Sequence, residues 1–252
     1  MPDNPSPPRV LYQDEQLLIV DKPAGVAVHP SPRWREGTII QQLRERWGDG
    51  GRALKLAHRL DRETSGVLVC TKGTEANDLM HRAFREHAVH KSYVALVEGS
   101  PAWSERVIDA PIDRHPDSRV SIRMAVVDGG APSQTTITVL ERLPDHALVR
   151  AVPRTGRTHQ IRVHLAHIGH PVAGDKIYGP DEAFFLQWYE GRSSEAMWKR
   201  LGLRRQALHA ERLDLPHPWR SGRLQVEAPL PRDIVERCRG LRGRVDSPMG
   251  AS

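Results

Sequence analysis

Hydrophobic and polar positions alternate in short bursts along this chain. VLYQDEQLLIVDKP reads as two strands around the turn-like QDEQ, and the Pro and Gly of DKPAG close them by breaking regular structure. Thr38 is a candidate cap for a helix in which Ile39, Leu43 and Trp47 recur at helical spacing before GDGG ends it. ALKLAHRLDRETSGVLVCTKG holds two strand-like apolar runs separated by a polar loop, HRLDRETSG, and loops held between strands are favoured places for chemistry. TEANDLMHRAFREHAV reads as a helix capped by Thr74, with Leu79, Ala83 and Phe84 on one face, and KSYVALVEG as the strand that follows. QTTITVLERL and HALVRAVP look like neighbouring strands joined by a Pro144-Asp145 turn. In TGRTHQIRVHLAHIGHPVAG, Thr158 is the expected N-cap, Ile161, Leu165 and Ile168 fall on one helical face, and Gly169 with Pro171 ends the helix. Arg162 lies beside that apolar stripe. Residues 181–206 carry aromatic side chains and mixed charge and read as a helical insertion. The pattern shows no repeat and no separating linker, so one domain is expected over residues 9–235, between a Pro-rich tail (1–8) and a loose basic tail (236–252).

Length and composition narrow the class. The 252 residues suffice for one large domain or two small ones, at roughly 150 residues per domain. Apolar runs such as LLIV and VLVC stop far below the ~18 residues that span a bilayer. MPDNPSPPRV has neither the basic start nor the apolar stretch of a secretory signal. Cys70 and Cys238 lie far apart and neither belongs to a CxxC pair, so a reducing cytoplasm is the expected setting. The 37 Lys and Arg against 31 Asp and Glu leave a net charge of +6, with arginine in excess. Because guanidinium grips phosphate bidentately and stacks on bases, that excess favours a polyanionic partner over a merely solvated surface.

Three groups of residues could carry chemistry. His159, His164, His167 and His170 crowd one region, but no HExxH pattern or thiolate accompanies them, and helix-end, core or RNA-facing histidines are expected rather than a metal site. Gly48, Gly50 and Gly51 match neither GxxxxGK[ST] nor GxGxxG and read as a turn. The third group is HRLDRETSG, which sets Asp61 between Arg59 and Arg62, with Glu63 beyond. Read from the residues alone this is either a solvated ion-pair loop or a carboxylate site, including the paired carboxylates of a glycosidase in Asp61 and Glu63.

HRLDRETSGVLV, KSYVAL and TGRTHQIRVHLAHIGHPVAGDKIYG, in that order, resemble the RluA-type RNA pseudouridine synthases. The opening DEQLLIVDKPAGVAVHP and the later RQALHAERLDLPHP extend the resemblance over most of residues 9 to 235. It implies an α+β fold on a mixed, mainly antiparallel sheet with flanking helices and a central RNA-binding cleft. It also implies isomerisation of uridine to pseudouridine in structured tRNA or rRNA, without a cofactor. By the same resemblance Asp61 is the catalytic carboxylate, as nucleophile or as general base. Arg162 is the arginine paired with it, and Tyr93 is the aromatic that stacks on the target base. A stacked uridine must be extruded at a cost of a few kcal/mol, and Arg59 matches the residue that enters the vacated space. Arg62, Arg154 and Arg157 are expected on backbone phosphates, which position the strand without reading it.

The match has departures. Strands that begin by Val10 leave no room for the S4 RNA-binding domain of larger members, so recognition is expected within the catalytic domain and its insertion. Ala131 stands where the family commonly has a lysine, which leaves one RNA contact unsupported. A monomer without membrane or protein partners is expected. The competing reading is a noncatalytic RNA-binding or remodelling protein on the same fold, for which Asp61 would be dispensable.

Overall fold

A computed structural model of the chain describes residues 8–243. The expected tails therefore lie outside the described residues, except at Pro8 and over 236–243. The described residues divide into two compact units, residues 8–92 with 209–229 and residues 93–208 with 230–243.

The first unit is built on a mixed sheet. Strands β1 (Arg9–Gln13) and β2 (Leu17–Lys22) pair antiparallel around the expected turn, where the Asp14 carboxylate accepts the backbone N–H groups of Gln16 and Leu17. Helix α1 (Ile39–Gly51) buries Ile39, Ile40 and Leu43, and its regular geometry breaks at Gly48, where φ is +53°, so GDGG does interrupt it. Strand β3 (Leu54–Leu56) and the longer β4 (Ser65–Lys72) flank the HRLDRETSG loop and pair antiparallel, while β2 lies antiparallel on the other edge of β4. Helix α2 (Thr74–Arg85) packs Ala76 and Met80 into the core, with Ala83 and Phe84 at its margin. Its N-cap is Gly73 rather than Thr74. Strand β11 (Leu208–Pro216) returns parallel to β4, with His209 opposite Ser65, and β12 (Arg223–Glu227) pairs antiparallel with it.

The second unit is antiparallel. Strand β5 (His90–Glu98), shared at its start with the first unit, pairs with β10 (His146–Pro153), β10 with β9 (Gln134–Leu143), and β9 with β6 (Glu105–Asp109). A small two-stranded sheet, β7 (Ile112–Arg114) with β8 (Met124–Val126), stands apart. Helix α3 (Gln160–His167) lies between two apolar clusters: Ile161 and Leu165 join the sheet core, and Val163 joins Ile177, Tyr178 and Ile112. The insertion is helical as expected, in α4 (Ala183–Tyr189) and α5 (Glu195–Leu201).

The expected C-terminal tail is overturned as well. The tail anticipated from residue 236 is instead the body of α6 (Arg232–Arg242), which buries Ile234, Cys238 and Leu241 in the core of the second unit. Those three apolar positions fall at helical spacing, and their burial outweighs the high charge that makes the segment look solvated. No helix among the described residues is long and apolar enough to cross a membrane.

Candidate active site

The sequence-predicted residues fall in both units. Arg59, Asp61 and Arg62 belong to the first, and Tyr93, Arg154, Arg157 and Arg162 to the second.

In the first unit the Asp61 loop is pinned at both ends. At its start, His58 accepts the Val69 N–H on Nε2 at 3.1 Å and stacks at a tilt on Phe84, 4.8 Å between centroids. Burial, reinforced by the charge of Lys91, pushes its pKa down to about 3, so the ring is a fixed neutral acceptor. Beyond the loop, Ser65 Oγ lies 3.0 Å from His209 Nδ1, and His209 Nε2 lies 3.1 Å from the Ala228 carbonyl. A carbonyl only accepts, so in the neutral ring Nε2 carries the proton and Nδ1 takes the serine hydroxyl. Gly66, at φ +112°, completes the anchor: a Cβ there would stand 2.2 Å from the Ala210 carbonyl oxygen, so only glycine lets the parallel strands approach.

The middle of the loop is held by a lysine. Lys22 is fully buried, and its ammonium donates to the carbonyls of Pro23 at 2.7 Å, Val26 at 2.9 Å and Arg62 at 3.0 Å. The Gly25 N–H donates to the same Arg62 carbonyl at 2.9 Å, and the Thr64 N–H closes a turn on the Asp61 carbonyl at 3.1 Å. An ammonium removed from water needs such a cage of acceptors. The cage also ties DKPAG to the loop, and Asp61 sits half-buried within it while Arg59 is exposed. Arg62, expected on phosphate, lies 4.0 Å over the Trp34 ring and 3.6 Å from Glu63.

In the second unit Arg162 is buried, as its place beside the apolar stripe suggested. Its Nε and Nη2 donate to Asp175 at 2.6 and 2.9 Å, and its Cζ stands 4.9 Å from the Tyr178 ring centroid. Asp175 also accepts the N–H groups of Ile177 and Tyr178 at 2.9 and 3.2 Å. Burial opposes its charge, but Arg162 and these amides together hold the carboxyl below the usual range. The guanidinium plane is thereby fixed before any substrate arrives.

The start of α3 differs from the expected Thr158 cap. Thr158 is exposed, and the N-cap is His159 in the left-handed conformation, φ +59°. The loop is held instead by Gln160, whose Oε1 accepts the Thr155 hydroxyl at 2.7 Å and the Arg157 N–H at 3.0 Å. The helix ends as expected at Gly169, φ +84°, where His170 N–H reaches the Leu165 carbonyl and Gly169 N–H the Ala166 carbonyl. Arg154 and Arg157 are exposed on that loop. Tyr93, opposite Ala151 on β10, is partly buried against the sheet core.

The clustered histidines have separate roles. Both ring nitrogens of buried His164 are engaged, Nδ1 with Thr135 at 2.9 Å and Nε2 with the Ala110 carbonyl at 3.0 Å, and burial pushes its pKa down. His159 Nδ1 bonds the Tyr178 hydroxyl at 2.8 Å, His170 Nδ1 lies 3.0 Å from the Glu98 carbonyl, and His167 is exposed. Sequence reasoning assigned no role to Lys22, Asp175, Gln160 or His209. A lysine closing an apolar strand run, LLIVDK, was the available signal for the first.

A family model described as RNA pseudouridylate synthase matches residues 16–167. The chain is 40% identical over 241 residues to "Ribosomal large subunit pseudouridine synthase D" of Nitrosomonas europaea, covering 94% of this chain and 66% of that protein. To the protein of the same name in Xanthomonas campestris it is 37% identical over 238 residues, covering 94% and 70%. The chain thus spans about two thirds of these relatives' length. Among solved structures, "Human RNA Pseudouridylate Synthase Domain Containing 4" superimposes with a TM-score of 0.70 at 29% identity, over 93% of each chain.

Proposed function

The chain belongs to the RNA pseudouridylate synthase family, and we propose that it isomerises uridine in structured RNA with Asp61 as the catalytic carboxylate. The reaction breaks the N1–C1′ bond, turns the base and joins C5 to C1′, with the C5 hydrogen leaving as a proton and N1 gaining one. No electron changes hands and no phosphoryl group moves, so a carboxylate, a balancing cation and tight orientation are sufficient chemistry.

The observation that carries this reading is the anchoring of the Asp61 loop by His58, the Lys22 cage and Gly66. A carboxylate on a loop so restrained loses little freedom on meeting substrate, which suits an attack on C1′ or removal of a sugar proton. Arg162, pre-oriented by Asp175, is the proposed charge partner of Asp61, the role its motif implies. Tyr93 is proposed to stack on the target base. Arg59, exposed beside Asp61 in the chain, fits insertion into the space left by the flipped uridine, and Arg154 and Arg157 fit phosphate contacts. The names of the two bacterial relatives favour large-subunit ribosomal RNA as substrate.

The test is tritium release from [5-³H]uridine-labelled, unmodified ribosomal RNA. Wild type should release tritium, and Asp61→Asn, which keeps the shape and loses the nucleophile or base, should bind RNA yet release none above background. Near-normal turnover by the variant would remove Asp61 from the chemistry and leave RNA binding alone.

A further inference from the structure

Ser31, Pro32, Arg33 and Trp34 form a closed turn in the first unit. The Trp34 N–H donates to the Ser31 carbonyl at 3.0 Å, and the Ser31 N–H donates back to the Trp34 carbonyl at 2.9 Å. Proline at the second position presets the backbone, so the turn is stiff. It exposes Arg33 and lays a partly exposed Trp34 ring over the Arg62 guanidinium, 4.0 Å from Cζ to centroid, with Arg33 Cζ at 5.5 Å. Arg62 directly follows Asp61, so the turn abuts the catalytic loop within the same unit.

The surrounding charge is mostly of one sign. After burial, the positive charges of Arg59 and Arg44 push the His29 pKa down. Arg62 is likewise pushed down by burial, with Arg33 adding to the shift and Glu63 opposing it. Gathering cations around an aromatic plane costs the folded protein electrostatic energy that a polyanion offsets. Cations tracking a backbone beside an aromatic platform are the ordinary apparatus for single-stranded nucleic acid, because every base has a π-face. A ring already braced on a guanidinium has little freedom left to lose on stacking.

We propose that the 31–34 turn is an RNA-contact element in which Trp34 stacks on an unpaired base flanking the target uridine, while Arg33 holds the adjacent phosphate. This rests on the RNA-isomerase reading above, and it adds a strand-binding site outside the motifs that carry the family resemblance.

The probes are decauridylate and a ten-base-pair RNA duplex, with affinity measured by anisotropy and turnover by tritium release from unmodified ribosomal RNA. Trp34→Ala should weaken decauridylate binding about tenfold, the scale of one lost base–aromatic stack, with much less effect on the duplex. It should raise KM and leave kcat within about twofold. Trp34→Phe should restore most of the affinity, and Arg33→Gln should flatten the slope of log K against log salt by about 0.7. Unchanged decauridylate affinity in a folded Trp34→Ala protein, or no decauridylate binding by wild type, overturns the proposal. A fall in kcat at constant KM also overturns it, and makes Trp34 a prop for Arg62. These outcomes are separable from failure of the RNA-isomerase reading, which shows as absent tritium release by wild type.

Discussion

His58 shows how much one side chain's environment decides. Its Nε2 accepts a backbone N–H, which a protonated ring cannot do, and burial, followed by the Lys91 charge, lowers its pKa from 6.5 to about 3. Between those values the unfolded chain binds a proton that the folded chain refuses. Stability is therefore fully present above the unfolded value and falls with pH below it, by up to about 1.4 kcal/mol per pH unit. Urea unfolding at about pH 7 and about pH 5 checks this: wild type should lose more stability on acidification than His58→Gln. Equal losses would mean that the ring takes up its proton in the folded state. At this scale the Asp61 loop stood out through its resemblance to the family motif, since from the residues alone it reads equally as a solvated ion-pair loop. Lys22 and Asp175 did not, since a lysine and an aspartate near strand or turn residues look solvated until the partners that cage them, Val26 and Arg62 or Arg162, are brought within reach.

Among the elements, α6 was misread and α3 half-read, for one reason. Charge is written along a segment, whereas burial depends on what the segment meets. Leu241 and Cys238 are almost fully enclosed within a helix whose other positions are mostly charged. Leu241→Ala should cost about 2–5 kcal/mol, read as a lower urea midpoint with an unchanged slope. A change within about 0.5 kcal/mol would show that α6 does not hold the second unit's core. For α3, the Ile161, Leu165 stripe and the glycine stop were periodic and local, so they could be read directly. Its start was not, because the groups satisfying the loop come from Gln160 rather than from the hydroxyl one expects at a cap. Strands β1, β2, β4, β9 and β10 were legible from alternation and turn chemistry. The short β7 and β8 offer three residues each, too few for a period to declare itself.

For the whole molecule, the net charge of +6 and the exposed Arg33, Arg154 and Arg157, each proposed to meet phosphate, bear on how RNA is held. Three phosphate contacts on single-stranded RNA give a slope of log K against log salt of about −2, or roughly 15-fold weaker binding on going from about 50 to about 200 mM salt. A flat profile would place affinity elsewhere than in the arginines. The sequence by itself determined the family, the Asp61 loop, the α+β class and the sense of the charge, because each is carried by local order: motif, periodicity and composition. Only the tertiary structure decided what restrains that loop and which carboxylate orients Arg162. It also showed that Trp34 lies on Arg62 and that the final described segment is core. Those outcomes depend on residues far apart in the chain meeting in low dielectric, where an ammonium, a guanidinium or an imidazole must find partners that no linear pattern records.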